Sequence, residues 1–368
     1  MTATAGSPAS PGRTAGPRCC RRSPRGRVPL PDRSAAADAF CARAGWGGVP
    51  RAFLAGDASA RRYERLRDGA GRTAVLMDAP PGAGEDVGAF LRVDAHLRTL
   101  GLSAPGVLAA DEASGFVLLE DLGDDLFARH LARDPSHEAA LYAPAVDVLL
   151  RVQSAPPLTG LPAYDAATMA AAVAPAVDWY GFGVTGERAD PAPLIAAMEL
   201  ALATLPPEPA VMILRDYHAE NLLWLPDRPG LARVGVLDFQ LAMRGPAAFD
   251  LVSLLQDARR DVAPEVEQAM IARFATATGR DPVAFARAYA TVGAQRHLRI
   301  LGVFARLSLH LGKPAYVDFM PRVWRDLRRN LAHPALFALA GTVDALLPEP
   351  TPARQERIRD ACATLPTP

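Results

Sequence analysis

Three oxygen-bearing side chains, Asp216, Asn221 and Asp238, stand at a spacing that suits the transfer of a phosphoryl group. That reaction needs a carboxylate to take the proton of the attacking hydroxyl, and hard oxygen ligands to hold Mg²⁺ on the phosphates. Asp216 is the candidate base, and Asn221 and Asp238 are the candidate metal ligands. Each residue alone would more often be a turn former or a cap. Their combination, with apolar segments between them, favours a kinase-type site.

The segment between Asn221 and Asp238 has the pattern of a β-hairpin. Residues 222–225 and 232–237 are mainly apolar, and residues 227–230 between them contain the Asp, Pro and Gly that favour a turn. The second run is apolar enough to form a buried strand, and it ends at Asp238. A hairpin would return the chain to Asn221, so the pattern predicts that both candidate ligands face one ion.

Length and composition indicate a globular protein of about two domains. The chain has 368 residues, is 50% hydrophobic and carries a formal net charge of zero, so it can bury a sizeable core. The neutral balance argues against a nucleic-acid-binding protein, which would normally be strongly basic. The four cysteines lack the spacing of a metal site, so neither disulfides nor zinc are expected. The sequence shows no apolar run of membrane-spanning length and no signal peptide, which predicts a cytoplasmic location with access to ATP.

Four regions are predicted along the chain. Residues 1–33 are rich in arginine, proline and glycine, which predicts a disordered arm. Residues 34–122 alternate short strand and helix patterns and are predicted to form a small nucleotide-binding lobe. Residues 123–340 show helical periodicity with proline-rich breaks, which predicts a helical lobe with the catalytic loop and the acceptor site. Residues 341–368 are predicted to be a C-terminal tail.

Two predicted helices in the larger lobe bear on the site. Periodicity predicts one continuous helix over residues 166–179. Residues 250–255 have the pattern of a helix start capped by Asp250. We expect Asp250 to be structural, either as this cap or as a brace for the catalytic loop.

The motif residues resemble those of the aminoglycoside phosphotransferase family, relatives of protein and choline kinases that phosphorylate small molecules. The likeness runs from about residue 36 to residue 331. Further segments resemble the bacterial cell-wall sugar kinases: residues 56–63, 76–81, 119–124 and 295–307. The resemblance implies an α+β fold of two lobes like a protein kinase, with a small, mainly antiparallel β N-lobe and a larger helical C-lobe. It also implies ATP and Mg²⁺ as cofactors, and phosphorylation of N-acetylmuramate or N-acetylglucosamine at the anomeric hydroxyl in peptidoglycan recycling.

The nucleotide site is expected between the two lobes. Gly56 and Ser59 lie in a turn whose backbone amides and hydroxyl could donate to phosphate oxygens. An ordinary hairpin turn would look the same, and only its place in a kinase-like lobe favours the phosphate role. Main-chain groups near Glu120 and Leu122 are expected to recognise adenine.

The lysine that kinases of this superfamily place on the third strand is missing, because the only lysine of the chain is Lys313. Met77 occupies its expected place. Arg62 is the candidate replacement, with Arg61 beside it, because an arginine keeps a permanent positive charge. Both arginines could equally be solvated strand residues. Without a replacement the chain would be a nucleotide-binding pseudokinase, which stays open as an alternative.

The best sequence signal for the acceptor is a row of arginines, Arg296, Arg299 and Arg306, at helical spacing. Such a row is most often a solvated face, but in a cleft it would suit the lactyl carboxylate of N-acetylmuramate. Further candidates for acceptor contacts are Arg259, Arg260, His218, Glu220 and Gln240. Aminoglycosides are polycations that would need a carboxylate-lined pocket, so an aminoglycoside phosphotransferase is the second hypothesis.

Overall fold

The computed structural model describes residues 33–55, 61–84 and 86–365. These residues form two lobes joined by a short connection after residue 120. The α+β two-lobe fold implied by the resemblance is confirmed. The predicted arm up to residue 32, and the predicted phosphate-binding residues Gly56 and Ser59, lie outside the described residues.

The smaller lobe combines two helices with five strands. They are α1 (Ser34–Arg43), β1 (Arg51–Ala55), β2 (Arg62–Arg67), β3 (Thr73–Asp78), α2 (Val87–Thr99), β4 (Val107–Asp111) and β5 (Phe116–Glu120). The strands form one antiparallel sheet in the order β1-β2-β3-β5-β4. Helix α2 starts where the Asp86 side chain accepts a hydrogen bond from Ala89 N at 2.9 Å.

The two faces of this sheet pack against different parts of the molecule, because successive side chains of a strand point to opposite sides. On β3, Leu76 belongs to a small apolar cluster with Phe40 of α1. Its neighbour Met77 belongs to the main core cluster, together with Phe90 of α2. The face that carries Met77 therefore looks towards the cleft between the lobes.

The larger lobe is built from helices. They are α3 (Phe127–Arg133), α4 (Glu138–Ser154), α5 (Ala166–Ala171), α6 (Phe182–Thr185), α7 (Ala192–Ala203), α8 (Ala248–Leu255), α9 (Pro264–Ala277), α10 (Pro282–Leu309), α11 (Met320–Leu331), α12 (Phe337–Leu346) and α13 (Pro352–Asp360). Helix α10 lies at the centre and packs against α8 and α11. Among the described residues, no helix is both long enough and apolar enough to span a membrane.

Two small sheets support the cleft side of the larger lobe. The strands are β6 (Val211–Ile213), β7 (Leu222–Trp224), β8 (Val234–Val236) and β9 (Met243–Gly245). Strands β7 and β8 form the predicted antiparallel hairpin, with Leu222 opposite Val236. Single β-bridges from Ser103 to Gly235 and from Leu126 to Leu223 attach this hairpin to the neighbouring chain segments.

Two sequence predictions differ from the fold. The continuous helix predicted over residues 166–179 ends at Ala171, and a separate π-helical turn, Ala176–Gly181, begins after Pro175. Proline has no backbone N–H to donate to a helix, so the helix is interrupted before Pro175. The boundary predicted at 340/341 falls inside α12, and Ile358 on α13 is fully buried. The predicted tail is thus packed as part of the larger lobe.

Candidate active site

The predicted catalytic loop, which carries Asp216, is held by a buried carboxylate. Asp250 accepts hydrogen bonds from Leu214 N at 2.6 Å and from Arg215 N at 2.8 Å. Burial raises the pKa of the Asp250 carboxyl, and the two N–H donors oppose that rise. The Ser253 hydroxyl also donates to Arg215 O at 3.3 Å. These bonds fix a backbone in which Arg215 has a φ of 71°, a strained value for a residue other than glycine.

The prediction that Asp250 caps a helix is wrong. Helix α8 begins at Ala248, so Asp250 lies within its first turn, and its carboxylate reaches back to the loop. A residue inside the helix has already formed helical backbone angles, so its side chain is free to bond elsewhere. The contacts are those of the brace, which was the other expectation.

The structure brings Asp216, Asn221 and Asp238 to one end of the β7–β8 hairpin. The Asn221 side chain turns back, and its Nδ2 donates to Asp216 O at 2.9 Å. Leu237 N donates to Asn221 O at 2.9 Å, which places the start of β7 beside the end of β8. Asp238 follows with a φ of 57°, a left-handed conformation that turns its carboxylate away from the strand direction.

Two donors share one oxygen of Asp238. Gln240 Nε2 lies 2.8 Å and Arg61 Nη2 lies 3.0 Å from Asp238 Oδ1. This arrangement leaves Oδ2, together with the Asn221 Oδ1 atom, as the hard oxygens that suit Mg²⁺. Among the described residues, no three His, Cys, Asp or Glu side chains are grouped to hold a metal ion. The site therefore fits an ion such as Mg²⁺, which is usually bound by one or two side chains and by substrate phosphates.

A cavity of about 370 Å³ lies between the lobes, and Asn221 and Asp238 are among its lining residues. Its walls are mostly apolar, with Val75 and Leu119 on one side and Leu223 on the other. A slot of this kind suits a flat, largely apolar ring such as a nucleobase. Its other lining residues are Leu54, Ala55, Arg61, Tyr63, Arg65, Phe90, Pro105, Glu120, Asp121, Leu122, Gly123, Asp124, Leu126, Arg129, Glu220, Leu237 and Phe239.

The predicted hinge residues Glu120 and Leu122 both line this cavity. The Glu120 side chain is engaged elsewhere, since it pairs with Arg228 and accepts from Gly106 N at 3.1 Å. Contacts from Glu120 to a ligand would therefore come from its main chain, as expected. Glu220, predicted as an acceptor contact, also lines this cavity.

The structure separates the two neighbouring arginines. The side chain of Arg62 is 59% exposed, pairs with Glu64 at 2.7 Å and does not line the cavity. Arg61 is only 9% exposed, lines the cavity and contacts Asp238. Met77 is buried in the predicted place, opposite Tyr63 in the sheet. The geometry does not fit the prediction of Arg62 for the nucleotide site, because the alternation of the strand points Arg62 away from the cleft and Arg61 into it.

The predicted acceptor residue His218 is buried behind the catalytic loop. Its Nε2 lies 3.3 Å from Arg259 Nη1 and 3.5 Å from Asn221 Nδ2. An arginine can only donate, so Nε2 must accept and the proton of a neutral ring lies on Nδ1. Burial lowers the pKa of His218, which favours this neutral form. Neither the Nδ1 of His218 nor the Oδ2 of the buried Asp257 has a hydrogen-bond partner in the described residues.

The three arginines at helical spacing on α10 have different surroundings. Arg296 is buried, and its guanidinium donates to Ser253 Oγ at 2.8 Å and to Gln256 O at 3.4 Å. Burial lowers the pKa of Arg296 to about 10. Burial also lowers the pKa of Arg215, and the charge of the half-buried Arg299 lowers the pKa values of both Arg215 and Arg296 further. Arg306 is exposed. The row is thus one buried brace, one residue near the catalytic loop and one surface residue.

Two other predicted acceptor contacts lie elsewhere. Arg260 pairs with Glu138 at 2.7 Å and donates to Tyr142 Oη at 2.6 Å. Gln240 bonds to Asp238, on the metal side of the site. Both side chains are held by partners within the protein, so neither is directed at an acceptor.

Sequence reasoning missed two charged residues near Asp216. Arg215 lies over the Tyr164 ring at 5.4 Å, and Asp257 accepts from Arg259 N at 2.9 Å. A local signal for Asp257 was present, because an Asp that accepts from the backbone two residues on is a common turn. The position of Arg215 depends on the loop braced by Asp250, which the sequence does not display.

Comparison with known proteins agrees with this geometry. The family model described as "Phosphotransferase enzyme family" matches residues 51–286. Several relatives carry the name N-acetylmuramate/N-acetylglucosamine kinase. The one from Caulobacter vibrioides is 40% identical, covering 87% of this chain and 98% of its own length. The one from Pseudomonas aeruginosa is 36% identical, covering 83% and 91%.

Solved structures show the same fold at low identity. A choline/ethanolamine kinase family protein from Mesorhizobium loti matches with a TM-score of 0.56 and 15% identity, covering 89% of this chain and 99% of its own. An aminoglycoside 2'-phosphotransferase-IIIa mutant in complex with GDP matches with a TM-score of 0.57 and 12% identity, covering 82% and 99%. With the family model matching more than half of its length, the chain belongs to the phosphotransferase enzyme family.

Proposed function

We propose that the protein is an ATP-dependent sugar kinase that phosphorylates the anomeric hydroxyl of N-acetylmuramate and N-acetylglucosamine. The observation that carries the proposal is the convergence of Asp216, Asn221 and Asp238 at one end of the β7–β8 hairpin, where Asn221 and Asp238 line the interlobe cavity. The names of the relatives at 35–40% identity support the choice of sugar. The reaction consumes ATP, so we place the enzyme in the cytoplasm.

The residues have distinct roles in this proposal. Asp216 accepts or orients the proton of the sugar's 1-hydroxyl, whose oxygen forms the new bond to the γ-phosphorus. The bond from that phosphorus to the bridging oxygen breaks, and the electron pair leaves with ADP. Asn221 Oδ1 and Asp238 Oδ2 are the atoms that would hold Mg²⁺, which would offset charge on the phosphates. Main-chain groups near Glu120 and Leu122 hold the base, and the product is a sugar 1-phosphate.

The charges around the catalytic loop support an anionic acceptor. Four guanidinium groups interact with one another or with the carboxylates there: Arg215, Arg259, Arg296 and Arg299. They face three carboxylates, those of Asp216, Asp250 and Asp257. This balance suits the lactyl carboxylate of N-acetylmuramate and opposes a polycationic aminoglycoside. Of the four, Arg259 is our choice for the carboxylate contact, since its guanidinium lies against the His218 ring beside Asn221 and pairs with no carboxylate among the described residues.

Purified protein should be assayed for Mg-ATP turnover with N-acetylmuramate, N-acetylglucosamine and kanamycin. We expect turnover with the two sugars and an acid-labile anomeric phosphate in the product by ³¹P NMR. Turnover with kanamycin alone would favour an aminoglycoside phosphotransferase, and no turnover with any acceptor would favour a pseudokinase.

The same assay tests the proposed base. Asp216→Asn keeps the size of the side chain but removes the base, so kcat should fall roughly 10²- to 10⁴-fold while ATP affinity stays near that of the wild type. Asp227→Asn is the matched control, because Asp227 is an exposed residue of the hairpin turn. If Asp216→Asn kept its kcat and lost only ATP affinity, the base would lie elsewhere.

A further inference from the structure

Arg61, just before β2, and Arg62, its first residue, lie in different environments. Tyr63 and Arg65 of this strand line the interlobe cavity, and Arg61 continues the same row. Arg62 lies on the other face, where it pairs with Glu64 and stacks over the Phe53 ring at 5.7 Å. Only one of the two arginines is therefore directed into the cleft.

Three arginines line the cavity, and Arg61 is the one beside the predicted metal ligand. Arg65 is paired with Asp121 at 2.9 Å and with Asp124 at 2.6 Å, at the hinge. Arg129 lies on α3, which follows the hinge. Arg61 Nη2 is 3.0 Å from Asp238 Oδ1, so its charge reaches across the cleft from the smaller lobe to the larger one.

Elsewhere in the described part of the smaller lobe, no equivalent cation lies at this place. On β3 the cleft-facing residue beside Tyr63 is the buried Met77. Helix α2 presents Phe90, whose ring stacks on Phe239 with centroids 5.1 Å apart. The single lysine of the chain, Lys313, follows α10 in the larger lobe. Apolar groups thus fill the space around Met77.

Phosphates that share a metal ion with Asp238 would come to lie next to the Arg61 guanidinium. Arginine is permanently charged and presents five N–H donors in a plane, so it can bind a carboxylate and a phosphate oxygen together. We propose that Arg61 is the nucleotide-phosphate-binding cation of this chain, a role that neither β3 nor α2 supplies. The inference rests on the proposed ATP dependence but not on the identity of the sugar.

The test is the affinity of the full-length protein for ATP and for adenosine, measured by calorimetry with Mg²⁺ and with EDTA. Arg61→Met should weaken ATP binding roughly 10- to 100-fold in both conditions, because a charge-assisted bond to phosphate is lost. Adenosine, which has no phosphate, should bind equally well. Arg61→Lys should retain most of the ATP affinity, and Arg62→Met, the matched control on the opposite face, should stay within about 2-fold of the wild type.

Other results would overturn the inference in recognisable ways. If Arg61→Met lost affinity for ATP and for adenosine equally, Arg61 would support the lobe and would not contact phosphate. A loss seen with Mg²⁺ but not with EDTA would mean that Arg61 acts only by positioning Asp238. Unchanged ATP affinity in Arg61→Met, or no ATP binding by the wild type, would also reject the inference. If ATP affinity depends on Arg61 but no sugar is phosphorylated, the inference stands and the proposed acceptor is wrong.

Discussion

At the scale of single residues, the site depends on how each charged side chain is shared between partners. One oxygen of Asp238 receives Arg61 and Gln240, and the Asn221 amide nitrogen is used by the loop. The remaining oxygens of both side chains are therefore oriented before any ion binds. Such preorganisation is what a metal site needs from its supporting contacts.

Replacing Asp238 by Ala should abolish turnover while the fold is kept, because the residue ends a strand at the cleft and lies outside the core. The measurement is ATP turnover across a Mg²⁺ titration, with far-UV circular dichroism as the check on folding. Asp227→Ala, in the hairpin turn, should retain full activity. Wild-type rates for Asp238→Ala at low millimolar Mg²⁺ would remove this residue from the metal site.

Arg259 should distinguish the two sugars. If its guanidinium binds the lactyl carboxylate, Arg259→Gln should lower kcat/KM for N-acetylmuramate roughly 10- to 150-fold and leave N-acetylglucosamine, which lacks that group, nearly unchanged. The comparison is internally controlled, since damage to Asp216 or to ATP binding would slow both sugars.

Arg260→Gln is the matched control for that experiment. Arg260 is held by Glu138 and Tyr142, so its loss should affect both sugars alike. If Arg259→Gln also lowered kcat/KM equally for both sugars, Arg259 would not be the residue that binds the lactyl carboxylate. Arg299 would then be the next residue to test.

At the scale of elements, strands with a strong local sequence pattern could be predicted, and strands without one could not. The β7–β8 hairpin and β3 could be read directly, because their apolar runs are bounded by turn residues. Strand β4 was missed, and its alternation leaves Leu108 53% exposed. Strands β6 and β9 were missed because three residues at 211–213 pair with three at 243–245, which no local window contains.

The choice between Arg61 and Arg62 shows the same limit at the site. The sequence placed an arginine pair beside the cleft, but the face of a strand follows from its register with its neighbours. The pairing of Arg62 with Asp78 and of Tyr63 with Met77 fixes that register, but which face of this hairpin turns to the cleft depends on the core that packs against it from other parts of the chain. The catalytic triplet was easier to predict, since one hairpin carries Asn221 and Asp238 and needs no distant partner.

Helix α2 carries a buried carboxyl that makes stability depend on pH. Asp94 is 2% exposed, and burial raises its pKa from 3.8 to about 6. A raised pKa in the folded state means that folding favours the protonated form. The contribution of Asp94 to stability is therefore fully present below pH 3.8 and is lost as pH rises through about 6.

Asp94→Asn should remove this dependence, because the amide does not ionise. We expect the free energy of unfolding of the variant, relative to that of the wild type, to rise by about 1 to 2 kcal/mol from acidic to neutral pH. The measurement is the difference in urea unfolding free energy between the two proteins at pH 4 and at pH 7.5. A difference that does not change with pH would show that the pKa of Asp94 is not raised in the folded protein.

At the scale of the whole molecule, the two lobes share one core. The main apolar cluster includes Met77 and Phe90 of the smaller lobe and continues through Phe239 to Ile358 on α13. The other cluster, around Phe40, is small and stays on the outer face of the sheet. A nucleotide in the cleft would thus lie at the edge of a continuous core, which links its binding to the stability of both lobes.

The continuous core predicts that the two lobes unfold together. If they met only at a small, polar interface, they would unfold separately. The natural tryptophans allow a direct test, since Trp46 lies in the smaller lobe and Trp324 on α11 of the larger one. In variants that keep only one of these tryptophans, with the others replaced by Phe, fluorescence during urea unfolding should follow the same midpoint as the loss of helical circular dichroism. The dichroism reports mainly on the helical larger lobe, so the Trp46 variant provides the decisive comparison. An earlier midpoint for Trp46 fluorescence would mean that the smaller lobe unfolds on its own and that the shared core does not couple the two.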